Sequence, residues 1–209
     1  MVIMAAIALF IVSLTSSIGA SDIFNSSFYN TDAKARSAHQ YLVIAAALGW
    51  SSLIILVIVM IIAGFTGGFT NVTVSPILLT APNPTKEDLV AVYQVDKEIL
   101  GGYTTQLMVL LVLILLSIMT IVITILDVVA AADITNMRQR DDKANAAHTT
   151  AIIASIAGVA SVIFMVGAAI TYAGIRSEYA EQLKEINMFE KRAETLLGPK
   201  PVTPITIVK

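Results

Sequence analysis

Residues 32–64 read DAKARSAHQYLVIAAALGWSSLIILVIVMIIAG, and residues 141–173 read DDKANAAHTTAIIASIAGVASVIFMVGAAITYA. A shift of 109 positions lays Asp32 on Asp141, Lys34 on Lys143, Ala35 on Ala144 and Ala38 on Ala147, together with the only two histidines of the chain, His39 and His148. Within the apolar runs that follow, Ala45, Gly49 and Ser52 match Ala154, Gly158 and Ser161. Each run therefore carries small residues at i, i+4 and i+7, on one helix face, where they let two backbones approach closely. We assign these six residues to helix packing. A weaker echo precedes each stretch: ASDI ends at Ile23 and AADI at Ile134, with the loop that follows differing by two residues.

Working outward, the chain has 209 residues, of which 56% are hydrophobic and 13% charged, against about 25% charged in soluble domains. Mean hydropathy is +0.81. Such a chain belongs in a lipid bilayer. A bilayer core of about 30 Å needs about 20 helical residues, and four segments reach that length: residues 1–19, 41–65, 99–126 with a possible extension to 132, and 149–174. The first reads as a true span rather than a signal peptide, because no basic residue precedes it. The expected fold class is all-α, a polytopic protein with four transmembrane helices arranged as two tandem hairpins. Two crossings per copy make the repeat parallel, about an axis along the membrane normal. Loops 1 and 3 then lie together on one side. Lys and Arg are nearly balanced between the two sides, so charge does not fix the orientation.

The expected organisation is a first hairpin over residues 1–65, an extramembrane loop over 66–102, a second hairpin over 103–174 and a C-terminal amphipathic helix with an extended tail over 175–209. In the loop, GFTNVTV and the proline-rich PILLTAPNP precede Thr85, where Thr85 and Asp88 form a capping-box-like start to a short interfacial helix. Leu89, Val92, Tyr93 and Leu100 can share its apolar face. In the C-terminal helix, Tyr179, Ile186 and Ala193 fall on one heptad position and Phe189 and Leu196 on another, with Leu183 beside them. Tyr179, Leu183, Ile186, Phe189 and Leu196 are accordingly a candidate seam for a partner. PVTPITIVK, at the end, alternates β-branched residues and suits addition to a sheet edge.

The D-x-K-A-x-x-A-H lead-ins read as first helical turns in the headgroup region, with Lys34 and Lys143 reaching lipid phosphates or loop partners and the histidines at the interface. A paired-histidine metal site or a pH switch is the functional alternative. No third repeated ligand accompanies the pair, and no metal or other cofactor is expected. Asp127 is the one intramembrane carboxylate and the possible polar site of the spans. Gln106, Ser117, Thr120, Thr124 and Thr171 read as hydrogen-bonding between helices or onto their own backbones. Without a phosphate loop, a Ser-His-Asp order, paired intramembrane carboxylates, a zinc motif or any cysteine, no enzymatic chemistry is legible. A net charge of -2 offers no basic surface for nucleic acid.

A span, a short polar loop, an A-x-x-A-H lead-in and a second span with an early small residue resemble the two-helix hairpin of the dispanin family, here duplicated. Hairpins of this style also look like small membrane proteins of large icosahedral DNA viruses, which hold an inner membrane against a capsid. The resemblance implies a non-enzymatic structural protein, with the bilayer, neighbouring proteins of an assembly such as a capsid shell, and copies of itself as partners, located in a membrane such as that of a virion. Dispanin-type membrane remodelling and a channel or transporter subunit lined by Asp127 are the alternatives.

Overall fold

The structure is a computed structural model that describes residues 1–65 and 85–197. GFTNVTV, PILLTAPNP and PVTPITIVK lie outside the described residues, as do the side chains of Leu89 and Tyr93. Four helices follow one another: α1 (Val2–Phe24), α2 (Ala33–Phe65), α3 (Lys86–Thr135) and α4 (Asp142–Leu197). The described residues contain no strand. All four helices are long and apolar enough to cross a membrane, over Val2–Phe24, Ala33–Phe65, Ile99–Thr135 and Asp142–Leu196.

Two expectations about element boundaries are corrected. Thr85 and Asp88 do form the expected cap: the Thr85 amide donates to Asp88 Oδ2 at 2.8 Å and the Asp88 amide to Thr85 Oγ1 at 3.2 Å. The helix that begins there is not a short separate element but runs unbroken into the third apolar segment as the 50 residues of α3. Likewise the C-terminal amphipathic segment is the continuation of α4, 56 residues long. No proline falls between Lys86 and Thr135 or between Asp142 and Leu197, so neither sequence contains the residue that most strongly breaks a helix. At about 1.5 Å per residue, each is more than twice as long as the hydrocarbon core is thick.

The chain divides into two compact units. The first comprises Met1–Ile62 and Met108–Ala173. Its interior follows a seven-residue rhythm on every helix. Ala35, Ala38, Leu42, Ala45, Gly49, Ser52 and Leu56 are buried along α2, and Ala144, Ala147, Ala151, Ala154, Gly158, Ser161 and Met165 along α4. Leu9, Val12, Ser16, Gly19 and Ile23 of α1 and Thr120, Ile123, Asp127, Ala130 and Ile134 of α3 keep the same alternation of threes and fours. That spacing is the packing period of left-handed helical bundles.

The exterior of this unit is apolar, and several polar side chains lie inside. Ser13, Ser16, Ser52, Thr120, Asp127 and Ser161 have no exposure, whereas Ile3, Ile54, Ile118, Ile156 and Ile163 are 56–70% exposed. Apolar side chains turned outward in this number suit a lipid solvent. Most interior hydroxyls return to their own helix four residues back, as Ser13 does to the Leu9 carbonyl at 2.7 Å and Thr120 to that of Leu116 at 2.8 Å.

The six small residues assigned to packing are all buried. At Gly49 a Cβ would meet Ser13 Oγ at 2.5 Å, and at Gly158 a Cβ would collide with Thr124 Oγ1. Glycine is required at both positions because a hydroxyl-bearing residue of the neighbouring helix occupies the space.

The second unit comprises the described residues of Ala63–Leu107 and Gly174–Lys209. Here Val92 and Ile99 of α3 pack with Tyr179, Ile186, Phe189 and Ala193 of α4, joined by Tyr103, Ile175 and Leu183. Leu100, expected on this face, is 52% exposed, and its neighbour Ile99 is the buried residue. Arg176 Nη2 donates to the Tyr103 hydroxyl at 2.7 Å.

Gly49→Leu and Gly158→Leu should each destabilise the first unit by about 1–3 kcal/mol through overpacking, read as a lower thermal midpoint in detergent. Phe189→Ala should cost the second unit about 3–5 kcal/mol, read as faster amide exchange along the C-terminal part of α4.

Candidate functional site

Two polar constellations stand out in the first unit, one at the loops and one inside the bundle. The loops are short because each α-hairpin turns directly from helix to cap. Asp32 and Asp141 are the N-caps: Asp32 Oδ1 accepts from the Lys34 amide at 2.8 Å, and Asp141 Oδ1 from the Ala144 amide at 2.8 Å. Their second oxygens reach the opposite hairpin. Asp32 Oδ2 accepts from the Arg138 amide at 3.2 Å, while Asp141 Oδ2 accepts from the Ser27 amide at 2.8 Å. The hydroxyls of Ser26 and Ser27 add further bonds to Asp141 at 2.9 and 2.8 Å.

The repeated lysines cross in both directions. Lys34 Nζ lies 2.7 Å from Asp133 Oδ1, and Lys143 Nζ lies 3.0 Å from Asp22 Oδ1. Both lysine side chains are about half exposed, at 51% and 57%, so solvent screens each bridge and neither adds much stability. Their importance is geometric, since they fix which loop meets which. Lysines expected to reach lipid phosphates or loop partners have loop-end carboxylates as partners. The signal was available: the acids that receive them are the repeated Asp of ASDI and AADI.

Ala35, Ala38, Ala144 and Ala147 are fully buried, packed with Ile23, Ile134 and Met137. Their helices continue without interruption into the apolar segments. The two histidines have unlike surroundings. His39 packs against Phe24, tilted, and Tyr29, edge-on, with ring centroids 5.5 and 5.2 Å away, whereas His148 Nε2 is 2.9 Å from Thr135 Oγ1. Among the described residues no three His, Cys, Asp or Glu side chains gather as a metal site would require.

Inside the bundle, Asp127 has no exposure and its Oδ1 lies 2.9 Å from Ser16 Oγ of α1. Its Oδ2 has no hydrogen-bond partner among the described residues. Sequence reading singled out Asp127 but missed Ser16, which looked like one of several serines in an unremarked first span. Its position relative to ASDI, equal to that of Asp127 relative to AADI, was the available clue.

The seam of α4 expected to await a partner is covered within its own chain. Tyr179, Ile186 and Phe189 are 1–4% exposed against Val92 and Ile99, and Leu196 alone of the five stands out, at 57%. A long helix with an apolar stripe takes the nearest complementary helix, which here is the first half of α3.

Comparison with protein families, curated proteins and solved structures finds no match to this chain.

The carboxyl of Asp141 gives the loops a pH dependence. Partial desolvation opposes its ionised form, but the four hydrogen bonds from Ala144, Ser27 and Ser26 outweigh that effect and hold it well below the usual carboxylate range. A depressed value means stability that is fully present above about pH 4 and lost as pH falls toward the folded-state titration. Thermal midpoints measured over an acid series should therefore fall for the wild type. Asp141→Asn should be less stable at neutral pH and show a flatter acid slope.

Proposed function

We propose that this chain is a non-enzymatic structural protein of a membrane: two tandem copies of one helical hairpin, related by rotation about the membrane normal, clamp together as a four-span anchor that holds neighbouring proteins to the bilayer. The observation that carries this reading is that contacts come in exchanged pairs. Moving 109 positions from α2 to α4 and 111 from α1 to α3 turns Lys34–Asp133 into Lys143–Asp22 across the pair, and within the hairpins it turns Gly49–Ser13 into Gly158–Thr124. The same operation turns the bond from Arg138 to Asp32 into the bond from Ser27 to Asp141. A hairpin that pairs with its own copy generates this pattern, because an isologous interface uses each contact twice.

An anchor is favoured over a pore by where the polar groups go. The loop carboxylates Asp22, Asp32, Asp133 and Asp141 are consumed by caps and bridges, most interior hydroxyls bond their own helices, and Asp127 meets Ser16. A conducting path needs polar groups turned toward a common channel, whereas Ser16, Ser52, Thr120, Asp127 and Ser161 are fully buried among Ala, Gly, Leu and Ile of the seven-residue layers. Protein neighbours are assigned to the unrepeated parts of the chain, residues 66–84 and 198–209, since a duplicated pair needs nothing more than its two hairpins to close. A capsid-like shell is one assembly of this kind, in keeping with the resemblance of the hairpins.

Purified protein reconstituted in vesicles should carry no ion current above that of empty vesicles. In the native membrane, photo-crosslinkers placed at Asn71 and Thr203 should give protein adducts. A current abolished by Asp127→Asn would overturn the anchor in favour of a channel, and adducts to lipid alone would remove the assembly role.

A further inference from the structure

Asp127 is the one carboxylate with no exposure among the described residues, and the group that hydrogen-bonds it from another helix is a hydroxyl. Ser16 Oγ is placed between two oxygens: the Val12 carbonyl at 2.8 Å and Asp127 Oδ1 at 2.9 Å. A hydroxyl has one hydrogen and a carbonyl can only accept. If Ser16 gives its hydrogen to Val12, the contact with Asp127 needs a hydrogen from Asp127. If it gives it to an ionised Asp127, the Val12 contact has no hydrogen and a full negative charge stays in the core, with Oδ2 unpartnered.

Nothing at that level compensates such a charge. Counting along the helices from the Ser13–Gly49 and Thr124–Gly158 approaches brings Ala45 of α2 and Ala154 of α4 level with Ser16 and Asp127, and both alanines are fully buried. Within the first unit the other acidic and basic side chains of the four helices lie toward the loops. Asp22 of α1 holds Lys143 of α4, and Asp133 of α3 holds Lys34 of α2. His39 of α2 packs against Phe24 and Tyr29, and His148 of α4 meets Thr135. The nearer acids, six residues along their helices, are about 9 Å away by helical rise.

We propose that Asp127 is a proton-binding site between α1 and α3: the carboxyl holds a proton on Oδ1 and donates it to Ser16 Oγ, whose own hydrogen goes to the Val12 carbonyl. Every short contact in the chain Asp127–Ser16–Val12 then has one hydrogen. The neutral acid leaves only a single carbonyl-type oxygen without a partner, a far smaller burden than a bare carboxylate in an apolar interior. Binding of the proton fastens α1 to α3 at mid-bundle, and its removal puts a charge between Ala45 and Ala154. The assignment is independent of whether the protein is an anchor.

Infrared spectroscopy of the full chain in bilayers at neutral pH tests it. The wild type should show a carboxylic-acid C=O band that is sensitive to deuteration. The band should vanish in Asp127→Asn, whose amide can also donate to Ser16. In Ser16→Ala it should remain but move to higher frequency, because the acid loses its acceptor. Absence of the band in the wild type, or its survival in Asp127→Asn, overturns the proton site. An unshifted band in Ser16→Ala overturns the hydrogen bond to Ser16.

Discussion

Close approach of helix backbones at layers of small residues is the constraint from which the rest of the bundle follows. In lipid, apolar side chains gain nothing by turning inward, so helices associate through packing and internal hydrogen bonds. Gly49 against Ser13 and Gly158 against Thr124 leave no room for a Cβ. That contact distance sets which residues of α1 and α3 can face inward and explains why serines, threonines and a carboxyl occupy the interior while isoleucines cover the outside.

A bundle held by packing alone has few means of choosing register, because Ala and Gly layers slide past one another at low cost. The loop carboxylates supply that choice. Asp32 and Asp141 each begin a helix and also bind the opposite loop, so the start of α2 and α4 is tied to the junction between the hairpins. Lys34 and Lys143 add a second tie in each direction. None is strong individually, but all of them are satisfied together in this placement of the hairpins. Asp127 and Ser16 extend the same logic into the interior, where a mismatched polar group is costly.

The second unit uses different chemistry. On α4 its seam holds Tyr179, Ile186 and Phe189 beside Ala193, and Glu and Lys fill much of the rest of that stretch. Large apolar residues at the seam and charges outside are the pattern of helices that pair in water. One helix therefore changes its packing rule along its length, from small residues inside and large outside to the reverse.

The four helices, their apolar lengths, the small-residue faces and the Thr85–Asp88 cap were legible in the sequence, because each depends on residues a few positions apart and on the period of a helix. The fused helices were not, since a drop in hydropathy at residues 86–98 and 175–197 looks like a boundary, whereas backbone hydrogen bonding continues wherever no proline or cap interrupts it. The partners of Lys34, Lys143, Asp141 and Asp127 were also beyond sequence reading of one stretch at a time, although the repeat contained the clue. The sequence by itself determined the helices and which of their faces could pack. Only the tertiary structure decided that the repeated acids and lysines are spent on each other and that the C-terminal seam is covered by α3, because side chains far apart in the chain become neighbours only when their helices dock in a single register.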